Sequence, residues 1–490
     1  MGLNGSVPSP PSPAARRFGG ASVVFLALAA AAPLTVVTAV VPGAYADSGL
    51  LALPLLFVAP GLLLLTFTAG HTAMIRRLPG AGALYTFVAR GLGRPAGVGV
   101  AWLALLSYNA LQIGLYGVVG AAAAPLLAVP WWAAAGACWL VVAVCGMLGL
   151  HRTAWLPAVL VLGSVVVIAG YAAANLLDPA GGRITWAALE PVHLADVSRP
   201  VLGLLLVAAA FAFVGVETTA AYAADVRDPR RATARAAVLA VLFLTVLYAV
   251  AGWAMTVAAG PDRIVAASAG RGSELAFDLA AERLAPWAVT AGRVSVVAGL
   301  LAAMLSLHFI VTRYVMALGR EHVLSAGLAR PRPASLTQSL AAGLVIGVCA
   351  AFGQDPVVSL GRRLAVGGGL GILLLLLATS LAALLFLNRH PAGEGFWRRF
   401  AAPGLSTVGF GALAYLAYLN FPDLIAVAGG IVLLGLLYGL VLRFARPVVY
   451  AGIGLGGAAV VVAPSPSAVV LPQPRTPGAH RPERINRLAG

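Results

Sequence analysis

The sequence predicts an all-α membrane protein of about 12 transmembrane helices. Three observations carry that prediction. Of 490 residues, 61% are hydrophobic and 10% charged, with a mean hydropathy of +0.95, whereas a soluble domain carries about 25% charged residues. So few charges cannot build a water-facing surface, and lipid is the solvent in which apolar surface costs nothing. The apolar residues also fall into runs of about 20, the length that spans a bilayer. Finally, the net charge of +16 is concentrated between those runs. There it reports topology rather than nucleic-acid binding.

Residues 1–21 contain Pro8, Pro10, Pro11 and Pro13 ahead of Arg16 and Arg17. They read as a polar cytoplasmic lead-in and not a signal peptide, because the apolar stretch that follows is too long. Segment one, residues 22–45, is interrupted by Pro33. Segment two, 50–75, stops at Arg76 and Arg77. Segment three, 97–127, carries Tyr108, Asn109 and Gln112. Segments four (131–150) and five (154–177) are separated by His151 and Arg152. Segment six, 200–224, contains Glu217, and segment seven, 232–258, follows Asp228-Pro229-Arg230-Arg231. Segment eight, 289–318, contains His308. Segments nine (337–352) and eleven (403–419) are the shortest, and ten (364–387) and twelve (424–444) complete the set.

Every basic residue is arginine. With the abundance of Ala and Gly, this points to a GC-rich bacterial genome and removes lysine chemistry. If the N-terminus is cytoplasmic, 24 of the 32 arginines fall on the cytoplasmic side and eight outside. That split places both termini inside a plasma membrane and requires an even number of spans. The loop at 178–199 reads as irregular. In 273–284, Leu275, Leu279 and Leu284 alternate with acidic residues, which predicts an amphipathic helix capped by Ser273 on the outer face. His71, near the cytoplasmic end of segment two, is expected to meet interface water. Residues 445–490 read as a cytoplasmic, Pro-rich, largely disordered tail, although 448–463 is apolar. Domain organisation is therefore tail, transmembrane domain over 22–444, and tail.

Several chemistries are absent from the sequence. No H-E-x-x-H motif and no intramembrane acidic pair supports a membrane-embedded enzyme, so no catalytic or metal residues are assigned. A passive channel would want a charged ring or carbonyl filter. Without lysine there is no nucleotide-binding P-loop. The run Gly452-Ile453-Gly454-Leu455-Gly456-Gly457 matches G-x-G-x-x-G but lacks the strand–turn–helix setting a dinucleotide needs, so no cofactor is expected. Cys138, Cys145 and Cys349 read as small side chains filling space.

What remains is a pattern of broken helices, which in membranes expose backbone groups that bind ligands without burying a formal charge. Segment one has Ala31-Ala32-Pro33-Leu34-Thr35 at its middle, and Pro33 removes one helical hydrogen bond. Segment six has Phe211-Ala212-Phe213-Val214-Gly215-Val216-Glu217. Glu217 is the only acid well inside an apolar segment, which makes it functional by default. It has two readings, a proton-coupling group and a structural clasp on the break. The two interruptions lie five segments apart, so the halves run oppositely. This predicts a five-plus-five inverted repeat with two peripheral helices. Tyr108 and Gln112 share one helix face and read either as substrate lining or as interhelical glue. His308 reads as a proton relay or as a hydrogen-bonded structural histidine.

On these residues the sequence resembles the amino acid–polyamine–organocation superfamily, especially its amino acid permeases. The likeness is carried by Ala31-Ala32-Pro33-Leu34, by Leu78-Pro79-Gly80-Ala81-Gly82-Ala83-Leu84-Tyr85, by Phe213-Val214-Gly215-Val216-Glu217 with Asp228-Pro229-Arg230-Arg231, and by Arg320-Glu321-His322 after segment eight. The resemblance implies a secondary transporter of amino acids or related amines, working by alternating access with a proton, sodium or exchange partner. It implies that substrate carboxylate meets backbone N–H groups at residues 32–35, and that substrate amine meets the carbonyls of Phe211, Ala212 and Val214. Two departures stand out. The family's glycine-rich first break is Ala-Ala-Pro here, and Ser164 stands where many proton-coupled members carry lysine or glutamate.

Overall fold

The computed structural model describes residues 19–78, 83–226, 229–391 and 393–455. The Pro-x-(Ala/Gly)-Gly core at 79–82, Asp228, and both tails beyond Gly19 and Leu455 lie outside the described residues. The described residues belong to one compact unit. Among them are 12 helices long and apolar enough to cross a membrane.

Their bounds are Gly20–Ser48, Leu53–Arg77, Arg94–Leu127, Trp131–Leu148, Trp155–Leu177, Arg199–Ala223, Arg231–Ala259, Pro286–Arg320, Pro331–Ala351, Pro356–Arg389, Trp397–Asn420 and Pro422–Ala445, spans one to twelve. Spans nine, ten and eleven start six to eight residues earlier than their apolar runs. Spans nine and eleven begin with arginine-bearing turns opened by proline or tryptophan, and the first turns of span ten are cut off from its apolar run by Arg362 and Arg363. Spans ten and eleven open as π-helix, over Pro356–Arg362 and Trp397–Ala401. Asp355 caps the first of these by accepting from Val358 N at 2.7 Å.

Burial sorts the spans. The most apolar window of span one is 72% buried and that of span six 61%, against 17% for span twelve. The two interrupted helices therefore sit inside the bundle with span eight at 67% and span ten at 61%, and the last helix faces lipid with Leu433, Leu434, Leu437 and Val441 exposed. Span three packs on spans ten and twelve, and span eight on spans three and five. Exposed Trp132, Trp155, Trp287 and Trp397 stand at helix ends, where amphipathic rings favour the membrane interface. All three cysteines are free and only partly buried.

Two local expectations are corrected. Ser273 caps nothing. It lies in a 3₁₀ turn, Gly272–Glu274, and the helix that follows, Leu275–Ala281, has no side-chain cap. Leu275 and Leu279 of that helix are buried against the protein. His71 does not reach interface water. It is 6% exposed, stacked on Phe67 at 5.2 Å and edge-on to Phe87 at 4.8 Å. A short helix, Leu84–Gly91, supplies Phe87 and closes over it.

Candidate functional site

Span one breaks where the sequence places its proline. The helix Gly20–Ala30 ends with Ala32 N donating to Ala29 O at 3.1 Å. Ala32 then turns left-handed, φ 47°, ψ 56°. The next bond of the helical ladder runs from Val36 N to Ala32 O at 3.2 Å. Pro33 has no N–H, so the amides of Leu34 and Thr35 stand ahead of that ladder at a helix N-terminus, where the dipole favours an anion. Thr35 Oγ1 is buried and has no partner among the described residues.

Span six breaks at the other half of the pair. After Arg199–Phe211 the chain tightens, with Val214 N donating to Phe211 O and Val216 N to Phe213 O. Gly215 takes φ 118°, and a 3₁₀ helix, Val216–Asp225, continues. Glu217 is 3% exposed. Its Oε2 accepts from Gly215 N at 2.8 Å and its Oε1 from Tyr108 Oη at 2.9 Å. Thr218 Oγ1 donates to Gly215 O at 2.5 Å. From span seven, Tyr248 Oη donates to Ala212 O at 2.9 Å. The carboxyl thus ties the turn to itself and to span three. Both oxygens are engaged, which is the geometry of a clasp.

The two breaks meet. A Cβ added to Gly215 would stand 2.6 Å from Ala30 Cβ and 3.0 Å from Ala31 N. Behind the second break lies a cavity of about 20 Å³ touching Phe211, Val214, Glu217, Gly369, Leu373 and Phe410, room for about one water. Gly369 permits this closeness, since a Cβ there would sit 3.2 Å from the Phe211 ring.

Tyr108 therefore joins the site, and the other residues that the sequence nominates in span three do not. Gln112 bonds Gln338 of span nine at 2.5 Å and Tyr116 at 3.4 Å, gluing helices together. Asn109 donates to Leu105 O of its own helix. Ser164 donates to Leu160 O and Ser295 O at 3.3 and 3.4 Å, seating span five on span eight beside Gly299. His308 Nε2 pairs with Ser335 Oγ at 2.8 Å across spans eight and nine, against Gly146. The sequence reading misses Tyr248. A tyrosine inside an apolar span was the available signal, but nothing in its spacing tells which carbonyl it reaches.

A vestibule of about 1,090 Å³ opens at the arginine-rich end, between spans four, six, eight and nine. At its wall Arg313 pairs with Asp225 at 2.5 Å, donates to Ala221 O at 2.8 Å and lies over the Tyr222 ring at 4.8 Å. This joins the end of span six to span eight. Nearby, Glu321 Oε1 accepts from Gly454 N at 3.1 Å, and Arg90 Nε donates to Gly454 O at 3.3 Å. Gly454, whose φ is 78°, thus serves as a strap point for the segment after span twelve.

The family model described as amino acid permease matches residues 18–454. The chain belongs to that family. This permease is 28% identical over 335 residues to an uncharacterized transporter of Mycobacterium bovis, which covers 65% of this chain and 69% of that one. An uncharacterized transporter of Mycobacterium tuberculosis matches to the same extent. Among solved structures, a mutant manganese transporter of Eremococcus coleocola covers 86% of this permease and 92% of its own chain, at 16% identity and a TM-score of 0.50. That likeness is one of fold. The chain is thus a multi-pass membrane transporter and not an enzyme.

Proposed function

We propose that this permease is a secondary transporter of amino acids or related amines, resident in the plasma membrane with both termini cytoplasmic. The observation that carries the reading is the contact between the two helix breaks at Gly215 and Ala30. Free amides at Leu34 and Thr35 face a carboxylate from one side. The turn carbonyls accept from an ammonium on the other side: Val214 O, and the second lone pairs of Phe211 O and Ala212 O. A zwitterion bridges the two ends through backbone groups alone. Opening and closing of spans one and six against spans three and eight then gives alternating access, with a proton, sodium or a second substrate as partner.

A metal substrate is the second reading, suggested by the manganese transporter that shares the fold. It is disfavoured because no group of three or more His, Cys, Asp or Glu able to hold a metal exists among the described residues. Uptake of labelled amino acids, putrescine and manganese into proteoliposomes, with and without an imposed pH gradient, separates the readings. Amino acid or amine uptake supports the proposal. Manganese uptake alone overturns it.

A further inference from the structure

We infer that the vestibule is an electrostatic selector, which restricts the substrate to amino acids of zero or negative net charge and turns cationic amines away. The inference rests on the amino acid reading above and narrows it. Its first ground is the vestibule wall. Five arginines line this cavity, Arg152, Arg313, Arg320, Arg330 and Arg332. One acid, Asp225, lies among them, and it is already paired with Arg313 at 2.5 Å and with His151 at 3.6 Å. Arg152, Arg320, Arg330 and Arg332 make no salt bridge among the described residues. Topology alone asks only that arginines lie on one side of the bilayer. It does not ask that five of them line one concave space with partly apolar walls, where like charges focus the field and concentrate counter-ions.

The second ground lies at the breaks. A substrate with a second ammonium, such as a diamine or a basic amino acid, needs a carboxylate to receive it once desolvated. Glu217 is the only acid lining the cavity behind the break, and it is committed to holding the turn by accepting from Gly215 N and Tyr108 Oη. An extra cation is thus repelled on approach and on arrival competes with the turn for that one carboxyl. An extra carboxylate is drawn in, and a neutral side chain meets the apolar wall of Phe211, Leu373 and Phe410.

The test is competition in proteoliposomes holding the full chain, with glutamate, leucine, arginine and putrescine against a transported labelled amino acid. Glutamate or leucine should compete at least about tenfold better than arginine or putrescine. The triple substitution Arg152→Gln, Arg320→Gln, Arg332→Gln should shrink that ratio several-fold, and the corresponding triple lysine variant should restore it. Raising salt from about 20 mM to about 0.3 M should shrink the ratio in the parent and lysine proteins but much less in the glutamine one. Preference for arginine or putrescine, or a ratio indifferent to both charge removal and salt, overturns the selector while leaving amino acid transport standing. Absence of uptake of every amino acid and amine overturns the transport reading, and the selector falls with it.

Discussion

Gly215 of span six and Ala30 of span one are packed so closely that one added methyl group has nowhere to go. The built Cβ lies 2.6 Å from Ala30 Cβ and 3.1 Å from Ala27 O, at a backbone φ of +118°. Gly215→Ala therefore meets backbone as well as side chain. Overpacking of this kind costs about 1–3 kcal/mol, and a left-handed non-glycine residue about 1–2 kcal/mol more. Thermal unfolding of the purified protein should occur several degrees lower, and substrate affinity should fall more than about tenfold. Parent-like values for both would mean that the breaks do not touch.

Glu217 distinguishes clasp from proton carrier by a pair of substitutions. Glu217→Gln keeps an oxygen for Gly215 N and an amide for the Tyr108 hydroxyl, so a clasp survives it with affinity nearly unchanged. Glu217→Ala strands both donors, at about 1–3 kcal/mol each when buried, and should lower stability and binding together. Uptake driven by an inward proton gradient is the deciding measurement. A glutamine variant that binds normally but no longer responds to the gradient would sink the clasp.

Ala32 holds the left-handed corner of the first break without the freedom glycine has there. Ala32→Gly should relieve about 1 kcal/mol of strain and raise the unfolding temperature slightly, with transport retained. Pro33→Ala returns an N–H to the helix, lets the ladder reform across the gap, and should weaken substrate binding several-fold in a protein that still inserts. Equal affinity in an inserted Pro33→Ala variant would reduce the proline to a kink.

Orientation follows from the arginine count and from 12 spans. A reporter fused after Arg446 should be active in its cytoplasmic form and silent in its periplasmic form. The reverse result would put the vestibule and its guanidiniums on the outer face.

The helices and the two breaks are legible in the sequence because each has a one-dimensional cause: a run of apolar residues, a missing N–H at Pro33, a carboxyl in lipid at Glu217. The partners are not legible, because they join residues far apart in the chain. Tyr108 reaches Glu217 across 109 positions, and Gln338 reaches Gln112 across 226. Helical periodicity put Tyr108 and Gln112 on one face, yet one serves the break and the other the neighbouring span nine. The early starts of spans nine to eleven escape because arginines within or just after their first turns interrupt the hydropathy signal. His71 looked exposed because the short helix that covers it lies beyond the end of its own span.

The strap at Gly454 has a consequence for how the bundle holds together. The carboxyl of Glu321 is 2% exposed, and the amide that meets it is synthesised 133 residues later. Until residue 454 is in place, that carboxyl lacks its contact with the Gly454 amide. A chain terminated before residue 454 keeps all 12 spans but leaves this contact unmade, at a cost of about 1 kcal/mol. The stability of the bundle thus depends in part on a residue that lies beyond its last span.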